Sequence, residues 1–86
     1  MKIIKFYAEW CGPCKVVGPI VEQAVAERGI ELENVNIDEN PEAAMKYHVR
    51  SIPTVVIERE GKELTRLMGT FTPANFNETL DKAVAG

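Results

Sequence analysis

The first strand-forming run is apolar on both of its faces. Residues 2–8 read Lys-Ile-Ile-Lys-Phe-Tyr-Ala, so Ile3, Ile4, Phe6 and Tyr7 fall on both sides of a two-residue period. Such a strand needs cover on both faces, as in the middle of an α/β sheet. Directly after it, Val16, Val17, Ile20, Val21, Ala24 and Val25 recur at three- and four-residue spacing. That spacing predicts a helix from about Pro13 to Arg28 with one apolar face. Pro13 suits the first turn, where its missing N–H has no partner to lose. Gly29 is a natural stop. Pro19 lies inside the pattern and is expected to bend the helix, because its ring clashes with the carbonyl of Lys15. Lys5 is the exception in the strand, since it shares a face with Ile3 and Tyr7.

The remaining punctuation gives the rest of the order. Residues 31–37 predict a second strand anchored by Leu32, Val35 and Ile37. Asn40 and Pro41 are a cap and first-turn pair for a short helix to about His48. Pro53 precedes a strand over Thr54–Glu58, and Arg59-Glu60-Gly61-Lys62 predicts a hairpin turn. A fourth strand over Glu63–Met68 follows. Thr72-Pro73 opens a last helix with Phe76, Leu80, Ala83 and Val84 on one face. The order is βαβαββα. The early strand–helix–strand connections predict parallel pairing with right-handed crossovers. The Gly61 turn predicts an antiparallel pair. The expected fold is α/β, a four-stranded mixed sheet flanked by three helices, with helices on both faces. At 86 residues the chain is expected to be one domain over 1–86.

Composition removes several function classes. A net charge of −3, with lysines and arginines scattered, gives no electrostatic reason to bind nucleic acid or an anionic membrane. The apolar runs are far shorter than the roughly 20 residues a spanning helix needs. The N-terminal apolar run is too short for a secretory signal. Without such a signal the sequon at Asn77-Glu78-Thr79 carries no meaning, and a cytoplasmic location is expected. His48 reads as a surface residue. Met45 and Met68 read as core filler rather than a ligand pair.

Only two cysteines are present, Cys11 and Cys14, in the run Trp10-Cys11-Gly12-Pro13-Cys14. A bridge between them closes too short a loop to constrain the unfolded chain much. Structural zinc needs four ligands, and only His48 is left as a nitrogen donor. Haem attachment needs a histidine where Lys15 stands. A redox dithiol beside a strand–helix unit is the remaining reading. Two intervening residues let both thiols share the first helical turn. Cys11 lies at the helix start, where free N–H groups and the helix dipole favour a thiolate. Cys11 is therefore placed as the nucleophile, and Cys14, one turn on, as the resolving thiol.

The segment Ala8-Glu9-Trp10-Cys11-Gly12-Pro13-Cys14-Lys15 resembles the active-site segment of thioredoxins. Pro19, Asn36-Ile37-Asp38-Glu39-Asn40-Pro41, Val49-Arg50-Ser51-Ile52-Pro53-Thr54, Gly61 and Gly69 extend the resemblance over nearly the whole chain from Ile3. It implies the thioredoxin fold and a cis peptide before Pro53. It also implies that the Ile52 backbone pairs with an extended substrate segment. Trp10 would form the rim around Cys11, with Gly12 and Pro13 supporting the turn. Gly69 would leave a low wall on the far side of the groove. Relative to ordinary thioredoxins the chain is expected to lack a preceding strand and helix, which gives it a glutaredoxin-like size.

Lys5 is a departure from that pattern. Thioredoxins usually carry a buried aspartate there, thought to relay protons to the resolving cysteine, and a partner lysine near the position of Asn34. Two readings of Lys5 follow. Its amine could accept the Cys14 proton, or its stem could line the core while the ammonium reaches the sheet end or a carboxylate. A cationic Lys5 would stabilise thiolates and make the couple more oxidising.

The expected function is a protein disulfide reductase cycling between a Cys11/Cys14 dithiol and disulfide. The resemblance implies disulfide-containing target proteins, re-reduction by a thioredoxin reductase, no metal or organic cofactor, and action as a monomer. One alternative is a glutaredoxin-like protein reduced by glutathione, against which Gly12-Pro13 argues. Another is a binding or clamp subunit whose role does not need redox turnover.

Overall fold

The computed structural model describes residues 1–86. The elements are β1 (Lys2–Tyr7), α1 (Gly12–Arg28), β2 (Glu31–Asn36), α2 (Pro41–Lys46), β3 (Thr54–Arg59), β4 (Lys62–Met68) and α3 (Pro73–Ala85). They form a four-stranded sheet in the order β2-β1-β3-β4. The doubly apolar β1 is indeed internal, with β2 parallel on one side and β3 antiparallel on the other.

The expectation of parallel pairing holds for the first crossover and fails for the second. The cause is the length of α2. Six helical residues rise only about 9 Å, whereas a six-residue strand runs about 20 Å. The segment cannot carry the chain back along β2. Strand β3 therefore sets off from the edge at which β1 and β2 end. The register records this: Tyr7 pairs with Asn36, and Phe6 with Thr54. The first helix, with 17 residues, rises about 26 Å and makes the full return. As a result the end of β1 and the start of β3 lie side by side, and so do the loops attached to them.

The two faces have separate cores. Ile3, Val55 and Ile57 of the sheet pack with Val21, Ala24 and Val25 of α1 and with Phe76 and Leu80 of α3. On the opposite face Ile4, Phe6, Val35 and Val56 pack against Ala43 and Tyr47 around α2. Thr72 caps α3 by accepting the Asn75 N–H at 3.1 Å, and Asn40 caps α2 by accepting that of Ala43 at 3.2 Å. The hairpin turn places Glu60 at φ 52° and Gly61 at φ 80°, the left-handed pair that a two-residue hairpin loop requires. Helix α2 ends at Lys46, earlier than expected, and His48 turns away at φ 55°. Met45 and Met68 are exposed, not core filler. The first lies on the outer side of the short α2, and the second at the end of edge strand β4.

Tyr47 ties α2 to the sheet. Its ring meets that of Phe6 at 5.5 Å, and its hydroxyl donates to the buried Glu58 at 3.0 Å. Burial, and then the Glu58 bond, hold the Tyr47 phenol above its ordinary pKa. A phenol raised in the folded state favours folding while it is protonated. That contribution is complete below about pH 10, the unfolded value, and is lost as pH rises through the folded one. Tyr47→Phe is expected to lower Tm at pH 7, because Glu58 loses its donor at a cost of about 1–3 kcal/mol. The same variant should show a shallower fall of Tm above pH 10. Equal alkaline limbs in the two proteins would show that Tyr47 carries no such linkage.

Candidate active site

The two cysteines lie where β1 hands over to α1, and they are joined as a disulfide with Cα atoms 5.3 Å apart. Cys11 is the N-cap of α1, and its Sγ accepts the Cys14 N–H at 3.1 Å. That N–H is one of the donors left without a helical partner at a helix start. Pro13 in the first turn has no N–H to satisfy. The first turn contains no acidic side chain, so the positive end of the helix is not offset there. Negative charge that develops on Cys11 when the disulfide opens is thus favoured by the cap bond and the dipole together. Both cysteines are buried, packed with Ala8 against Tyr7, Ile37 and Ile52. Gly12 and Pro13 are exposed between them.

Ile52 reaches the cysteines from the loop before β3. The Ile52–Pro53 peptide is cis, and Pro53 is buried. Two bonds hold that loop: Thr54 Oγ1 donates to the Ser51 carbonyl at 2.7 Å, and the Gly69 N–H donates to the Pro53 carbonyl at 2.9 Å. Gly69 stands at φ 82°, a backbone setting that favours glycine. Through its N–H it anchors the proline loop.

Trp10 is 69% exposed, which excludes a core role for it. Its indole Nε1 donates to Asp38 Oδ2 at 2.7 Å. Asp38 is in turn held through its N–H to Asn36 Oδ1 at 2.9 Å. The ring is thereby fixed as one wall of a depression of about 320 Å³, completed by Ile37, Val49, Arg50, Ser51 and Ile52.

Lys5 lies behind the disulfide, not in this depression. Its Nζ is 3.7 Å from Glu22 Oε2 and 5.5 Å from the centre of the Tyr7 ring. The ammonium has found a carboxylate, as one of the two readings anticipated. Asn34 is its cross-strand register partner only. Together Lys5, Gly18, Glu22 and Cys14 line a cavity of about 280 Å³. No group of three or more His, Cys, Asp or Glu side chains is placed to hold a metal ion. No helix is long and apolar enough to cross a membrane.

Comparison with known proteins decides the family. The thioredoxin family model matches residues 1–82. The chain belongs to the thioredoxin family. A thioredoxin of Staphylococcus aureus is 37% identical over 84 residues, covering 95% of this chain and 81% of the relative. Thioredoxin 1 of Thermosipho africanus superposes with a TM-score of 0.91 at 26% identity, covering 99% of this chain and 96% of that one. Mitochondrial thioredoxin 3 of Saccharomyces cerevisiae, in its oxidised form, gives 0.83 at 28% identity, covering 94% and 76%. With the Cys11–Cys14 disulfide in the thioredoxin position, the protein is a thiol–disulfide oxidoreductase acting on protein disulfides.

Three residues of this thioredoxin site escaped the sequence reading. Asp38 was legible in principle, since the indole of a rim tryptophan usually needs a hydrogen-bond acceptor. Gly18 and Glu22 follow Cys14 at successive four-residue steps, which places all three on one helix face.

Proposed function

We propose that the protein is a disulfide reductase of the cytoplasm, working as a monomer and a single domain. Cys11 thiolate attacks a target disulfide, forming a Cys11–target bond and releasing one target thiolate. Cys14 then attacks Cys11 Sγ, which closes the Cys11–Cys14 disulfide and releases the second target thiol. The target gains two electrons, and the two cysteines lose them. The target strand lies along Ile52 and Pro53, with Trp10 on one side and Gly69 at the other end. A flavin-dependent thioredoxin reductase restores the dithiol, and no bound metal or organic cofactor takes part. The observation that carries this reading is the disulfide at the N-terminus of α1, packed against Ile52. The reducing cytoplasm is where such a couple can be kept in its dithiol form.

A coupled assay tests it. NADPH oxidation should proceed with a thioredoxin reductase, this protein and a disulfide-bonded protein substrate, and should stop when any one is left out. Turnover with glutathione and glutathione reductase, but none with thioredoxin reductase, would replace this reading with the glutaredoxin-like one.

A further inference from the structure

We propose that Lys5 is a positioning residue that makes the Cys11–Cys14 couple more oxidising, by holding a positive charge behind Cys14. The inference rests on these cysteines being the working couple.

Lys5 is only 8% exposed, in the middle of an internal strand. Burying an ammonium is unfavourable without compensation. The surroundings accommodate it without cancelling it. Gly18 on α1 leaves the room: a Cβ there would stand 3.3 Å from Lys5 Nζ. The Tyr7 ring lies beneath it at 5.5 Å, within cation–π range. The carboxylate paired with it, on Glu22, stands at 3.7 Å and is 61% exposed. A solvated carboxylate at that distance offsets the buried cation only in part. Charged or titratable groups facing the cavity are Lys5 and Tyr7 on β1, Glu9 on the following turn, and Lys15 and Glu22 on α1, with Cys14.

The charge acts on one side of the redox reaction. Two glutathione molecules give up two electrons and form an S–S bond. The Cys11–Cys14 bond breaks, and the two protons pass to the protein thiols or, at higher pH, to solvent. The disulfide is neutral, but the dithiol can ionise. A cation behind Cys14 stabilises the thiolate, and with it the reduced protein. A more stable reduced form means a stronger oxidant. The effect has a pH signature. At low pH both thiols are protonated and the cation faces no anion. As pH rises and a thiolate forms, the stabilisation comes in.

The test is the equilibrium of the full chain with reduced and oxidised glutathione, read at pH 5.5 and pH 8.5. Lys5→Met keeps the stem and removes the charge. It should shift the equilibrium about tenfold toward the disulfide at pH 8.5, about 30 mV for a two-electron couple. At pH 5.5 the shift should largely vanish. Glu22→Gln removes the partial counter-charge and should shift the equilibrium the other way. Because the Glu22 side chain is largely exposed, this variant keeps the test valid if methionine at position 5 disturbs packing. No shift, a shift equal at both pH values, or both variants moving together would overturn the proposal. A wild-type protein with no measurable equilibrium would instead overturn the couple itself.

Discussion

Cys11→Ser is expected to lose disulfide reductase activity on the order of 10⁴-fold or more, the scale on which loss of a covalent nucleophile is felt. Fold and stability should change little. A hydroxyl can still cap α1, because serine is among the best N-caps. It can accept the Cys14 N–H that Sγ accepts now. It cannot supply the thiolate that attacks a disulfide. The lost bridge closes only a short loop, worth about 2 kcal/mol on chain-entropy grounds, so the reference for stability is the reduced wild-type protein. The expected pattern is therefore an inactive protein with near-native Tm and circular dichroism. Residual turnover above a few per cent would assign the first attack to Cys14.

Phe76→Ala is expected to produce the largest stability loss. Phe76 has no exposed surface and joins α3 to the sheet face formed by Ile3, Val55 and Ile57. Its ring stacks on Phe71 at 5.1 Å between centroids. Removing a buried phenyl costs about 3–5 kcal/mol, against a total of about 5–15 kcal/mol for a whole domain. In a chain this size each kcal/mol moves Tm by about 4–8 °C. A fall of at least about 12 °C in a thermal scan follows. The disulfide packs in a separate cluster from Phe76, so variant protein assayed well below its Tm should still turn over. A fall of under about 5 °C would show that α3 is not held by this residue.

Most of the architecture was legible because it rests on local signals. The two-faced apolar run of β1, the spacing of Val17, Val21, Ala24 and Val25, and the Gly61 turn each name an element by its period or its backbone need. The direction of β3 was not legible that way. It depends on how far a six-residue helix can carry the chain, which is a property of the assembled sheet. The methionines failed for a related reason. Hydrophobicity alone does not say which side of a two-turn helix, or which edge of a sheet, will be covered. At the site, the cysteine spacing was informative because thiol chemistry and helix geometry coincide there. The placement of Lys5 against Glu22 was not, because the carboxylate comes from a different element and faces solvent. Lys5 itself was visible as an anomaly in β1, because it puts a charge on a strand whose two faces are otherwise apolar.

The division of roles, with Cys11 attacking and Cys14 resolving, can be read directly. Each single serine variant can be incubated with a disulfide-bonded target protein and the products mapped by mass spectrometry without reductant. Cys14→Ser is expected to accumulate a stable mixed disulfide through Cys11, because nothing remains to resolve it, while Cys11→Ser captures little or nothing. Accumulation of the adduct on Cys14 in Cys11→Ser, with none in Cys14→Ser, would contradict it.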